Sequence, residues 1–157
     1  MYEIKTGDCL QILRTMESET IQCCVTSPPY WGLRDYGNDK QIGREETPAE
    51  FVENMVQVFR EVRRVLKDDG TLWLNLGDSY YNYRPGKGQA VTPQTLGKEN
   101  GSSSFSECSR RGAKQKGLKE KDLVGIPWRV ALALQADGWY LRSDIIWHKR
   151  NPMPESV

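Results

Sequence analysis

The sequence has few of the residues on which common metal and disulfide sites depend. Its 157 residues include one histidine and four cysteines, and no two cysteines are spaced as Cys-x-x-Cys. This pattern disfavours a zinc site or a disulfide framework, so we expect free, buried thiols. No apolar run approaches the roughly 20 residues of a membrane span, and the first residues lack a signal peptide's apolar segment. We therefore expect a cytoplasmic protein.

The sequence also lacks an excess of one charge, because its formal net charge is +1. The charge is unevenly distributed, however. Residues 84–121 hold nine Lys or Arg against three Glu, a net of +6, which leaves the remaining residues near −5. Residues 77–121 are rich in Gly, Ser, Pro, Gln and Lys without apolar periodicity, which predicts a basic insertion loop. Such a loop is usually solvated, but its cations are also suited to contacting phosphates.

The first quarter of the chain predicts a strand, a helix and a second strand. Residues 2–5 form a short β-like run, and Asp8 is a suitable N-cap for a helix that begins at Cys9. Residues 21–26 are apolar, small and too few for a helix, which is typical of a buried parallel strand.

The rest of the chain continues this alternation. Thr47, followed by a proline and then Glu50, predicts a capped helix that ends at residues 67–70, and residues 71–76 predict the next strand. A helix is expected over 126–135, followed by a long, alternating strand over 139–148 that is antiparallel or at an edge. The order predicts an α/β fold with a mostly parallel sheet and crossover helices.

The most informative motif is Ser27, Pro28, Pro29 and Tyr30, directly after the strand predicted at 21–26. Ligand sites in open α/β sheets lie at the carboxyl ends of strands. Neither proline has a backbone N–H, so this stiff turn presents acceptors: the Ser27 hydroxyl oxygen and the Pro28 carbonyl. An amine with two N–H donors is the complementary ligand, and the Tyr30 ring offers a stacking face. The alternative is a rigid connection in which Tyr30 only packs.

These residues resemble the β-group of DNA amino-methyltransferases. The resemblance rests on residues 26–37 (Thr-Ser-Pro-Pro-Tyr-Trp-Gly-Leu-Arg-Asp-Tyr-Gly), on residues 7–9 (Gly-Asp-Cys) and on residues 147–156 (Trp-His-Lys-Arg-Asn-Pro-Met-Pro-Glu-Ser). It implies a Rossmann-like fold that uses S-adenosylmethionine to make N4-methylcytosine or N6-methyladenine in double-stranded DNA. It also implies that the target base is flipped out of the duplex.

The resemblance assigns roles to individual residues. Ser27 and the Pro28 carbonyl accept hydrogen bonds from the target amine, Pro29 stiffens the turn, and Tyr30 stacks on the base. Asp8 lies near the cofactor's adenine amine, a role compatible with capping, and Thr26 is a second cofactor candidate. Since the family methylates DNA, we favour phosphate contact for the basic loop. The DNA-binding candidates are Trp31, Arg34, Arg110, Arg111, Lys114, Lys116, Trp147, Lys149 and Asn151.

The target base and the completeness of the site stay open at this point. Ser at position 27 is more common in the family with cytosine N4, and Asp with adenine N6, so cytosine is favoured and adenine is the alternative. A glycine-rich loop of the Asp-Pro-Phe-x-Gly-x-Gly type, which holds the cofactor's methionine part in the family, has no match here. We therefore expect residues 1–157 to be the catalytic part of a truncated domain, or to pair with a complementary C-terminal segment or subunit.

Two functions from other classes were weighed against methyl transfer to DNA. Because the loop is missing, we expect the isolated chain to bind S-adenosylmethionine weakly and to methylate nothing measurable. A non-catalytic DNA-binding fragment is the alternative from another class. Methylation of protein glutamine is disfavoured, because that family has Asn where this chain has Ser27. His148 is expected to be an edge-strand residue rather than a metal ligand.

Overall fold

The fold places two parallel strands and three helices around one core. The structure is a computed structural model, and it describes residues 2–38, 40–81 and 117–151. In chain order the elements are α1 (Cys9–Thr15), β1 (Ile21–Thr26), α2 (Pro48–Val65), β2 (Leu66–Leu74) and α3 (Ile126–Ala136). The α/β class and the parallel pairing expected from the sequence are confirmed.

The first two helices begin where their capping residues predict. The Asp8 side chain accepts a hydrogen bond from the backbone N–H of Gln11 at 2.9 Å and so caps α1. Thr47 and Glu50 form a capping box at the start of α2, in which each side chain accepts from the other residue's backbone N–H. Caps of this kind satisfy N–H groups that have no partner inside the helix.

The two strands are parallel neighbours joined through α2. Cys24 pairs with Leu72 and Thr26 with Leu74, but the register shifts between Ile21 and Cys23. Residues 67–70, where we expected the helix to end before a strand at 71–76, lie in this irregular part of β2. That boundary was wrong because α2 leads directly into the strand at Leu66, and the polar residues are accommodated as a bulge.

The core lies between α2, α3 and the inner face of the sheet. One side of α2 is buried along its whole length, as its apolar spacing predicts. It packs against α3 and against side chains from the inner face of both strands. The fully buried side chains are Phe51, Met55, Phe59, Val124, Ile126 and Val130.

Two strands expected from the sequence are absent from the described residues. Residues 2–5 and 139–148 form no strand, and most of their side chains are exposed. A strand is stable only when a neighbour pairs with its backbone, and in the described ranges the sheet has two strands. A pattern of alternating residues records side-chain preference but does not supply the pairing partner.

The outer face of the sheet carries exposed apolar side chains. Val25 is 77% exposed and its register partner Trp73 is 54% exposed. The strand expected at 21–26 is present, but it is not buried as expected: its inner-face residues are half-buried and the others are exposed. The expected burial of the thiols is also wrong in part, since Cys9 and Cys23 are free but exposed, while Cys24 is half-buried. Cys108 lies outside the described residues.

The two ends of the predicted basic insertion are held together. Tyr81 donates its backbone N–H to the Asp122 carbonyl at 2.7 Å, and Lys121 donates to the Tyr81 carbonyl at 2.8 Å. Tyr81 and Leu118 are buried. Residues 77–81 and 117–121, which we assigned to the insertion, thus belong to the packed fold. Among the described residues, no helix is long and apolar enough to span a membrane.

Candidate active site at the strand ends

The parallel register places the ends of β1 and β2 side by side. Thr26 pairs with Leu74, and the next backbone contact runs from the Asn75 N–H to the Thr26 carbonyl at 3.0 Å. Ser27 and Asn75 therefore leave the sheet from adjacent positions at its carboxyl edge. This is the edge where open α/β folds bind ligands.

Three polar groups meet at this edge. The Asn75 Nδ2 donates to the Tyr30 Oη at 2.9 Å, and a longer contact of 3.4 Å joins it to the Ser27 Oγ. The Ser27 hydroxyl donates to the Tyr30 Oη at 3.3 Å. Ser27 is exposed and Tyr30 half-buried, so the serine oxygen is open to a ligand while the tyrosine is held from several sides.

Two glycines lie so close to the corner formed by residues 27–30 that side chains there would collide with it. A Cβ at Gly77 would lie 2.7 Å from the Tyr30 ring, and one at Gly43 would lie 2.8 Å from the Tyr30 carbonyl oxygen. Gly43 also has a φ of +97°, which disfavours any other residue. The corner is therefore packed tightly against the chain on two sides.

The loop after the corner is anchored by Glu45. The Glu45 carbonyl accepts from the indole N–H of Trp31 at 3.1 Å, and its carboxylate accepts from Gly43 and Asn54. Trp31 is 8% exposed and belongs to the core. We expected this residue to contact DNA, but its burial removes it from the candidate surface and gives it a packing role.

The described contacts do not bring the remaining DNA-binding candidates to the corner. Arg34, Trp147, Lys149 and Asn151 are exposed. The first lies in the loop after the corner and the others in the extended segment after α3. The basic candidates Arg110, Arg111, Lys114 and Lys116 lie outside the described residues.

The two cofactor candidates differ in how they fit an S-adenosylmethionine molecule. Asp8 is exposed and uses its Oδ1 for capping, so its second oxygen suits an adenine amine. Thr26 is half-buried, and its carbonyl is taken by Asn75. Two open clefts, of about 710 and 240 Å³, are lined by residues other than these two. Of the two candidates, Asp8 fits an adenine amine better than Thr26 does.

Asp78 is a structural anchor of the site that the sequence alone did not reveal. Its carboxylate accepts from the backbone N–H groups of Gly125 and Ile126 at 2.9–3.1 Å, at the start of α3, and from Ser79. Gly125, the N-cap residue of α3, has no side chain with which to cap it. Asp78 thus supplies the cap from 47 residues away and ties α3 to the segment that follows β2.

The thiols of Cys24 and Cys9 are not poised as nucleophiles. Burial raises the pKa of the Cys24 thiol, and the neighbouring Cys23 adds to the effect. Burial also raises the pKa of Cys9, together with the charge of Asp8. A raised pKa leaves less thiolate at neutral pH, and the thiolate is the reactive form. Within the described ranges, no group of three or more His, Cys, Asp or Glu is placed to hold a metal ion.

Comparison with known proteins identifies the family. The family model described as DNA methylase, of the N6/N4 type, matches residues 21–157. The chain belongs to this family. The match includes the corner, both strands and all of α2 and α3. The α/β fold with parallel strands is therefore the fold of an N6/N4 DNA methylase.

Several curated relatives of this chain are Type II methyltransferases. It is 50% identical to M.Cfr9I of Citrobacter freundii over 96% of the chain, which covers 47% of that protein. It is 51% identical to M.SmaI of Serratia marcescens over 99% of the chain, covering 50% of the relative. Identity to M.SfiI of Streptomyces fimbriatus is 43%, and the chain covers 32% of that protein. The chain spans about half the length, or less, of these relatives.

Proposed function

We propose that this chain forms the base-binding part of a DNA methyltransferase that methylates an exocyclic amine, with cytosine N4 as the favoured target. The observation that carries the proposal is the corner at residues 27–30, which stands at the carboxyl edge of the sheet with an exposed Ser27. The Type II methyltransferases among its relatives support DNA as the substrate. S-adenosylmethionine is the methyl donor in this proposal.

The chemistry follows from the acceptors at the corner. An exocyclic amine is a weak nucleophile because its lone pair is shared with the ring. Ser27 Oγ and the Pro28 carbonyl accept hydrogen bonds from its two N–H groups. These bonds hold the hydrogens out of the ring plane, so the nitrogen lone pair is no longer shared with the ring and can attack. The donor supplies an electrophilic methyl group on sulfur. When bound, the donor would lose its carbon–sulfur bond as the amine nitrogen bonds to the methyl carbon, and it would leave as the neutral thioether while one amine proton passes to solvent.

The residue at position 27 supports cytosine over adenine. A serine hydroxyl is neutral, whereas an aspartate would place a full negative charge beside the amine. In the resemblance set out above, serine accompanies cytosine N4 more often than adenine N6. Tyr30 stacks on the flipped base in this proposal, a contact worth about 1–3 kcal/mol.

DNA is bound, in this proposal, through the basic insertion and through exposed residues that include Arg34 in the loop after the corner. The ends of the insertion are pinned at Tyr81 and Lys121, a few residues beyond the end of β2. We propose phosphate contacts for Arg110 and Arg111, with Arg34 as a further contact beside the base.

We also propose that the cofactor site is completed by residues outside this chain. The exposed apolar face at Val25 and Trp73 supports this, because parallel sheets are normally covered on both faces. The greater length of the relatives supports it too. Methyl transfer to DNA by residues 1–157 alone, at a rate equal to that of the full-length protein, would contradict this proposal.

The proposed function is tested by identifying the modified base. DNA incubated with the full-length protein and S-adenosylmethionine is digested to nucleosides and analysed by mass spectrometry. We expect N4-methylcytosine. N6-methyladenine would keep the amine chemistry and correct the base, while 5-methylcytosine would overturn the role of the corner, because carbon methylation does not use an amine.

A further inference from the structure

We infer that Asn75 is a positioning residue that fixes both the Tyr30 ring and the direction of the Ser27 hydroxyl. This inference rests on the proposed function, since it assigns a task to the same corner. Its basis is the contact from Asn75 Nδ2 to Tyr30 Oη at 2.9 Å and the longer one to Ser27 Oγ at 3.4 Å.

The position of Asn75 is set by the backbone and not by a flexible loop. Its N–H donates to the Thr26 carbonyl at 3.0 Å, which extends the ladder between β1 and β2 by one step. The side chain therefore starts from the same sheet edge as Ser27. Groups held by a sheet are placed more accurately than groups on a free loop, as a site for methyl transfer requires.

The hydrogen-bond directions at the three groups favour an accepting Ser27. A hydroxyl has one proton and two lone pairs. Tyr30 Oη lies 3.3 Å from Ser27 Oγ and can accept its proton, and the side-chain amide of Asn75 has two protons to give. Ser27 thus keeps a lone pair for an incoming N–H. If its proton pointed at the amine instead, the hydroxyl would compete for the lone pair that must attack.

The Tyr30 ring is contacted along one edge and at its hydroxyl by two residues of one segment. Gly77 lies against the ring edge, where a Cβ would be only 2.7 Å away, and Asn75 holds the hydroxyl. Residues 75–77 therefore set both the position and the rotation of the stacking face of Tyr30. We assign no contact with the base or the cofactor to Asn75 itself.

The decisive variant is Asn75→Asp, which keeps the shape of the side chain but removes both N–H donors. Asn75→Ala removes the side chain altogether. Gln22→Ala is the matched control, because Gln22 Nε2 also donates from one strand to the other, to Asp69 Oδ1 at 3.0 Å, at the opposite end of the sheet. All three variants are made in the full-length protein.

The first readout is the single-turnover rate of methyl transfer, measured beside the dissociation constant for DNA. We expect both Asn75 variants to lower the rate roughly tenfold, the effect of one lost hydrogen bond, with little change in DNA affinity. In a Tyr30→Phe background the same change should have a smaller effect, since the shared partner is gone. Equal loss in both backgrounds, or full activity in Asn75→Asp, would overturn the inference.

The second readout does not depend on activity. In protein with labelled tyrosine, nuclear Overhauser contacts between the Tyr30 ring and the Gly77 α-protons report the position of the ring. We expect them to weaken in both Asn75 variants and to persist in Gln22→Ala. If wild type methylates no DNA, the proposed function fails, and these contacts still decide whether Asn75 holds the ring. Unchanged contacts in Asn75→Asp would refute the positioning role.

Discussion

Replacing Asp78 should destabilise the fold more than replacing a residue that caps a helix locally. Its carboxylate accepts from three backbone N–H groups, on Gly125, Ile126 and Ser79. Loss of an N-cap side chain costs about 0.5–2 kcal/mol. Asp78 also joins α3 to the segment that follows β2 through charge-assisted bonds at a half-buried position, so Asp78→Ala should cost about 2–3 kcal/mol of unfolding free energy.

Two further variants provide reference values for this loss of unfolding free energy. Asp78→Asn keeps one acceptor oxygen and should cost about 1 kcal/mol. Asp8→Ala removes a single cap bond, at 2.9 Å, from an exposed seven-residue helix, and should cost at most about 1 kcal/mol. Urea unfolding followed by circular dichroism gives each free energy, and the melting temperature of Asp78→Ala should fall by about 5–10 °C.

The ranking of these variants is the test. If Asp78→Ala loses no more free energy than Asp8→Ala, the long-range cap does not stabilise the protein as described. If Asp78→Asn loses as much as Asp78→Ala, the remaining oxygen contributes nothing and the hydrogen-bond explanation is wrong.

Three other variants probe the site, the charges and the packing. Gly77→Ala should slow methyl transfer by roughly 10- to 100-fold, because its Cβ displaces the Tyr30 ring; an unchanged single-turnover rate would contradict the tight packing. Replacing Arg110 and Arg111 together by Gln should reduce the slope of log affinity for DNA against log salt by up to about two, and an unchanged slope would exclude phosphate contact. The hydrogen bond from Arg60 lowers the pKa of Asp137 below its ordinary value of 3.8. Because the folded pKa is lowered, the stabilisation is present above pH 3.8 and disappears as the pH falls through the lowered value. The difference in unfolding free energy between wild type and Asp137→Asn should thus shrink as the pH falls. A difference that grows in acid would contradict the direction of this pKa shift.

The parts of the fold that the sequence predicts best are those with local causes. The capping box at Thr47 and Glu50 fixes the start of α2, and its apolar spacing fixes the buried face. The corner at residues 27–30 is also local, because two prolines restrict it wherever it occurs. Its place at the carboxyl edge follows once β1 is recognised as a parallel strand.

The features that the sequence did not predict depend on distant partners. Asp78 caps a helix 47 residues away, and no local pattern marks that pairing. Residues 139–148 alternate as a strand does, but they have no pairing neighbour among the described residues. Asn75 could have been predicted from the sequence, because it follows the strand that pairs with β1. Polar residues at the ends of adjacent parallel strands meet at one edge of the sheet.

The most direct test of the central claim compares wild type with Ser27→Ala and Tyr30→Ala by mass spectrometry of nucleosides from treated DNA. The claim is that the corner at residues 27–30 activates an exocyclic amine for methylation. We expect N4-methylcytosine from wild type and a large loss in both variants, whose circular dichroism spectra should match that of wild type. Undiminished methylation by Ser27→Ala, or methylation at carbon instead of nitrogen, would contradict the claim.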